Sequence, residues 1–131
     1  MEREASVRIP MNRLLIVDDA LIMRMKIREI ATKAGWIVVA EAGNGAEGVR
    51  LYDEHRPDLV TLDMVMPEMD GLAALKAIRG SHPEANVVMV SALNQKDLLR
   101  SCITEGAMDF VIKPFDPVLL QSFFERHRRD A

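Results

Sequence analysis

Five short apolar runs constrain this chain more than any other feature. They occupy residues 14–17, 37–40, 59–62, 87–90 and 110–112. Each is too short for a buried helix, and none alternates apolar with polar residues. Such runs mark strands covered on both faces. The segments between them carry helical periodicity instead. Over residues 20–34, Ile22, Met23, Ile27, Ile30 and Ala31 recur at helical spacing, while Arg24, Lys26, Arg28 and Glu29 take the remaining faces. Residues 45–55, 71–79, 95–105 and 117–128 read the same way, the last with Val118, Leu119, Leu120, Phe123 and Phe124. Gly35 and Gly106 are placed to end helices, and Asp116 with Pro117 to begin one. Strands alternating with helices predict an α/β domain with a parallel sheet and right-handed crossovers.

The remaining composition bounds the function. A chain of 131 residues suits one compact domain, and an apolar fraction of 49% is enough to build its core. With only 5% aromatic residues, that core rests on Leu, Ile, Val, Met and Ala. A net charge of −3 argues against a nucleic-acid partner, which calls for a basic face. Cys102 is the only cysteine, so no internal disulfide or cysteine-based zinc cluster is available, in keeping with a reducing cytoplasm. The acidic, polar start lacks the pattern of a secretory signal, and no apolar run approaches the roughly 20 residues of a membrane span. Residues 1–11 are expected to form a loose tail ahead of a domain over 12–131.

The chemistry gathers at the carboxyl ends of these runs. Asp18 and Asp19 come directly after the first, Asp63 after the third, Ser91 after the fourth, and Lys113 with Pro114 after the fifth. In a parallel sheet these ends share one edge, where ligands of such sheets bind. Three carboxylates and one ammonium in a small space call for a hard cation, and Mg²⁺ suits carboxylate and carbonyl oxygens. Singly, each residue has a plainer role: a helix cap for Asp18, Asp19 or Ser91, a loop carboxylate for Asp63, a solvated charge for Lys113. Glu41 after the second run reads as ordinary loop chemistry.

Four blocks in order then carry a resemblance. Leu15-Ile16-Val17-Asp18-Asp19, Asp63-Met64-Val65-Met66-Pro67-Glu68-Met69-Asp70-Gly71, Val90-Ser91-Ala92 and Lys113-Pro114-Phe115 resemble the receiver domain of two-component response regulators. Leu21-Ile22-Met23-Arg24 is similar to the first helix of chemotaxis-type CheY proteins in particular. The resemblance implies a doubly wound, flavodoxin-like (βα)5 fold with strand order 2-1-3-4-5. It implies that Asp63 takes a phosphoryl group from a histidine kinase or a histidine phosphotransfer protein. Asp18, Asp19, Asp63 and the backbone carbonyl of Val65 would hold Mg²⁺, and Lys113, next to a cis Lys113-Pro114 peptide, would neutralise charge. Ser91 and the aromatic Phe110 would act as the switch. The chain would then be a phosphoacceptor signalling protein of the cytoplasm rather than an enzyme.

Two departures from the family pattern stand out. Phe110 replaces the usual tyrosine, so it has no hydroxyl to offer a partner. Val65 and Leu93 lie two positions after Asp63 and Ser91, where they flank the path of the attacking water, and neither can activate it. Slow loss of phosphate is therefore expected. Because the chain stops after the receiver, output is expected through a downstream effector protein. That effector would use the last two helices and Phe110, with Leu98, Leu99, Val118 and Phe123 as contributors, while Ala20, Leu21 and Met23 would meet the kinase. His55, His82 and His127 lack metal-ligand spacing and read as surface histidines. The basic run 126–129 reads as a complement to a helix C-terminus. Three alternatives stand beside this reading: a receiver-like scaffold that is never phosphorylated, a small aspartate-dependent phosphatase, and an FMN-binding module. The last needs a phosphate-cradling loop where Asp18 and Asp19 would repel phosphate.

Overall fold

The computed structural model describes residues 11–92 and 94–129. Five strands and five helices alternate: β1 (Arg13–Val17), α1 (Leu21–Lys33), β2 (Ile37–Ala42), α2 (Gly45–His55), β3 (Leu59–Asp63), α3 (Gly71–Ser81), β4 (Val87–Ala92), α4 (Lys96–Thr104), β5 (Asp109–Lys113) and α5 (Pro117–His127). All pairings are parallel, in the order β2-β1-β3-β4-β5. The expected α/β flavodoxin-like architecture and strand order are therefore present. The tail expected over 1–11 lies, apart from Met11, outside the described residues, as does Leu93.

Side-chain alternation along each strand divides the interior into two cores. Leu15, Val17, Val60, Leu62, Val87 and Met89 face α2, α3 and α4, where they meet Tyr52, Leu75, Ile78 and Cys102. Leu14, Ile16, Leu59 and Val88 face α1 and α5, against Ile27, Ile30, Phe123 and Phe124. Trp36 closes the second core by donating its indole N–H to the Phe124 carbonyl at 2.8 Å. The apolar runs are covered on both faces only in the three inner strands. At the edges, β2 and β5 are mostly half-buried, and Ile37 and Phe110 are open to solvent because each edge strand lacks a neighbour on one side. In α1, Ile27, Ile30 and Ala31 are buried as the spacing predicts, but Ile22 faces outward.

Local chemistry sets the helix ends. Asn44, Asp70 and Asp116 each accept a backbone N–H from the first turn of α2, α3 and α5. Pro117 takes the first position of α5, where its missing N–H costs nothing. Gly35 leaves α1 with φ of 92°, a left-handed conformation that glycine adopts without a Cβ clash. These caps fix where each connection turns back to the sheet. They leave the carboxyl ends of β1, β3, β4 and β5 open along one edge.

Candidate phosphoacceptor and metal site

Asp63 is the last residue of β3 and pairs with Val90. One residue beyond Val90 on β4, Ser91 pairs with Ile112, and Ala92 pairs with Lys113 at the end of β5. Asp18 and Asp19 leave β1 at the same edge, the Asp18 N–H donating to the Ala42 carbonyl at 3.0 Å. The four strand ends thus bring together Asp18, Asp19, Asp63, Ser91 and Lys113. Asp18, Asp63 and Ser91 are buried, while Asp19 is exposed.

Lys113 ties the acidic groups together. Its Nζ donates to Asp18 Oδ2 at 3.0 Å and to Asp63 Oδ1 at 3.1 Å. Burial works against the lysine's charge. The hydrogen bond to Asp18 and the charges of Asp63 and Asp18 outweigh it, so its pKa moves up. Asp63 is pushed the other way for a carboxyl group. Burial first, then the neighbouring Asp18 charge, raise its pKa from 3.8 to about 6 in spite of Lys113. One ammonium does not offset three carboxylates.

That imbalance bears on Mg²⁺. One carboxylate oxygen from each of Asp18, Asp19 and Asp63 lies within 4.8 Å of the other two. Opposite oxygens of an octahedral Mg²⁺ site stand about 4 Å apart, so the three can share an ion after small side-chain adjustments. An all-oxygen donor set with excess negative charge fits a hard divalent cation.

The loop after β3 shapes the site from below. The Met69 N–H donates to the Pro67 carbonyl at 2.8 Å, closing a γ-turn centred on Glu68 with φ of 69°. The Gly71 N–H returns to the Met64 carbonyl at 2.8 Å. Val65 is left exposed on this loop, and the Lys113-Pro114 peptide is cis.

Three residues to which the sequence reading gave no role at the site belong to its surroundings. Arg24 Nη1 donates to the Asp18 carbonyl at 2.7 Å, and its Nε donates to Glu41 at 3.1 Å. Glu41 also accepts from Arg28 at 2.7 Å, so it anchors α1 beneath the acidic pair rather than serving a loop. Gln95 accepts the Ser91 hydroxyl at 2.9 Å. No sequence signal marks these three roles, because each acts through a partner on another element.

Further from the site, Phe110 is 45% exposed and lines an apolar groove with Leu99, Ile103 and Ile112, rimmed by Lys96 and Arg100. Phe110 belongs to neither core. Of the suggested contact residues, Leu98 and Val118 are exposed, whereas Leu99 and Phe123 are buried. Leu21 is exposed and Met23 half-buried on α1. His82 corrects its reading as a surface residue. It is buried against Tyr52, with Nε2 3.0 Å from Asp53. Cys102 is buried beside Met64, and burial pushes its thiol up to about 11.

Comparison with known proteins places these features among relatives. The family model described as the response regulator receiver domain matches residues 14–125. The chain is 53% identical over 104 residues to the chemotaxis protein CheY of Bacillus subtilis, covering 79% of this chain and 87% of that protein. It is 49% identical over 105 residues to CheY of Thermotoga maritima, covering 80% and 88%. Among solved structures, a chain of the CheX–CheY–BeF3–Mg complex from Borrelia burgdorferi superposes with a TM-score of 0.80 at 35% identity over 92% of each chain.

Proposed function

The chain belongs to the response regulator receiver family and is a homologue of the chemotaxis protein CheY, and from that premise we propose that Asp63 accepts a phosphoryl group and that the domain signals through the change this causes. One observation supports the reading above the others. Lys113 bridges Asp18 and Asp63 at hydrogen-bond distance, with Asp19 in the same cluster. That is a preorganised set of charges around one carboxylate.

In the proposed step, an Asp63 carboxylate oxygen attacks the phosphorus of a phosphohistidine on a partner protein. A P–O bond forms and the P–N bond breaks, and the histidine nitrogen leaves with the electron pair. Phosphoryl transfer asks mainly for alignment and charge neutralisation, so a weak nucleophile suffices. Lys113 holds Asp63 beforehand and then faces the phosphoryl oxygens. Asp18 and Asp19, with Asp63 and the Val65 carbonyl, would hold Mg²⁺, which supplies positive charge to phosphoryl oxygens when bound. The Ser91 hydroxyl donates to a phosphoryl oxygen afterwards, and Phe110 turns into the space this leaves. The apolar groove beside Phe110 is the surface offered to an effector protein, and α1 with Leu21 and Met23 is offered to a histidine kinase or histidine phosphotransfer protein. We place this work in the cytoplasm, over a receiver domain spanning residues 12–131.

Incubation with acetyl phosphate and Mg²⁺, followed by intact mass measurement, tests the reading. The mass rises by one phosphoryl group, and in Asp63→Ala it does not. No increase in the unmodified protein would leave the scaffold alternative in its place.

The lifetime of the product is a separate expectation. Val65 is an exposed apolar side chain on the loop beside Asp63 and has no group with which to orient water. Leu93, the other position that flanks the water's path, lies outside the described residues. The phosphorylated protein is expected to lose phosphate slowly on its own, and Val65→Asn to speed the loss several-fold. Rapid decay of the unmodified protein's label in a time course counts against this.

A further inference from the structure

Ser91 is 1% exposed, and its hydroxyl has a single proton to donate. Its Oγ stands 2.9 Å from Gln95 Oε1 and 3.1 Å from the Ala92 carbonyl. The Ala92 backbone N–H lies 3.3 Å from the same Gln95 oxygen. A backbone N–H needs an acceptor, so the Gln95 amide presents its oxygen here and Ser91 is the donor. Gln95 occupies the N-cap position of α4, yet its side chain makes no capping bond to that helix. Its backbone carbonyl accepts from Leu99 at 3.0 Å and thereby opens the helix. The amide oxygen therefore serves the end of β4 rather than the first turn of α4.

We propose that Gln95 is a positioning residue that latches the Ser91 hydroxyl in the unphosphorylated domain and must release it before Ser91 can reach a phosphoryl group. The inference rests on Asp63 being the phosphoacceptor. Ser91 cannot donate its one proton to both acceptors, so the phosphoryl group competes directly with the Gln95 amide. Release then frees a polar side chain at the start of α4. The same helix carries Leu99 and Ile103 into the groove beside Phe110, so the latch joins the state of the pocket to the state of that surface. Without the latch, the phosphate-bound arrangement forms at lower cost.

Beryllofluoride with Mg²⁺, a phosphoryl mimic, is the probe, titrated by calorimetry into the unmodified protein, Gln95→Ala, Ser91→Ala and the double variant. Gln95→Ala is expected to bind roughly two- to tenfold more tightly than the unmodified protein, the usual range for one hydrogen bond. In the Ser91→Ala background the Gln95 substitution is expected to change nothing. Unchanged or weaker binding by Gln95→Ala overturns the proposal, and so does an equal gain in both backgrounds, which marks a loop effect independent of Ser91. Denaturant unfolding of the same four proteins without ligand gives a second readout. Ser91 and Gln95 should couple by roughly two- to tenfold in the unfolding constant. Gln95→Glu, which keeps an acceptor oxygen, should preserve that coupling. Purely additive effects overturn the latch whatever the titration gives. If the ligand-free coupling is present but the unmodified protein binds no beryllofluoride, the phosphoacceptor reading has failed and the switching role fails with it.

Discussion

At the scale of single residues, the raised pKa of Asp63 has a consequence for stability. In the unfolded chain its carboxyl ionises near 3.8, and in the folded domain near about 6. Between those values the unfolded state binds fewer protons than the folded one, so stability falls as pH rises through that window. The loss persists above it. The side chain is only 9% exposed, so solvent screens little of the effect. Asp63→Asn removes the charge while Lys113 keeps Asp18 as its partner. The ligand-free variant should therefore be more stable at pH 7 by about 1–3 kcal/mol, and by little near pH 3.5. Urea unfolding at the two pH values measures both numbers. A variant no more stable than the parent at pH 7 would contradict the electrostatic account. Asp63 was legible in the sequence because it recurs with Asp18, Asp19, Ser91 and Lys113 at the ends of apolar runs, although singly it reads as a loop carboxylate. Gln95 and Glu41 were not legible, since a side chain whose role is to meet Ser91 or Arg24 carries no mark until those partners are placed. His82 shows the opposite error. A histidine near a helix end reads as surface until Tyr52 and Asp53 are seen to cover it.

At the scale of an element, α3 holds two glycines with opposite demands. Gly71 is its first residue, and a Cβ there would meet the Asp63 carbonyl oxygen and stand 2.8 Å from Met64 Cα. Those are backbone atoms that cannot step aside without moving Asp63. Gly71→Ala is expected to cost about 2 kcal/mol or more. It should also slow labelling of Asp63 by acetyl phosphate, because the displaced backbone is that of Asp63 itself. Gly80, near the other end of the same helix, has nothing within 4 Å of its would-be Cβ. Gly80→Ala should stabilise by about 0.5–1 kcal/mol through the lost freedom of the unfolded chain and leave labelling unchanged. Denaturation midpoints and labelling rates for the pair decide the matter, and a matching effect at both positions would show that helix propensity alone is at work. Periodicity predicts this helix over 71–79, and it extends to Ser81. Its start was legible from the periodicity alone, and in the structure the Asp70 side chain caps it. The close approach of Gly71 to Asp63 was not, because it depends on the return of the chain through the γ-turn at Glu68.

At the scale of the whole molecule, strand ends far apart in sequence place their charges on one edge, while the two cores lie on opposite faces of the sheet. That much can be read from five apolar runs and the polar residues after them. Composition does not tell an inner strand from an edge strand, so the exposure of Ile37 became visible only with the strand order. The same arrangement makes the fold and the site energetically dependent. Asp18, Asp19 and Asp63 are within reach of one another only when β1 and β3 are paired, so an ion held by all three binds the folded chain and not the unfolded one. By mass action, Mg²⁺ at about a hundred times its dissociation constant should add about 2.7 kcal/mol to stability. The effect should exceed that of NaCl at matched ionic strength, which only screens the repulsion. Asp19 is exposed and contributes no core packing, so Asp19→Asn should leave the ligand-free fold in place while weakening the Mg²⁺ response. Unfolding curves across a Mg²⁺ series for both proteins make the comparison. A parent protein whose midpoint does not move with Mg²⁺ beyond the salt control would mean that the three carboxylates do not share an ion.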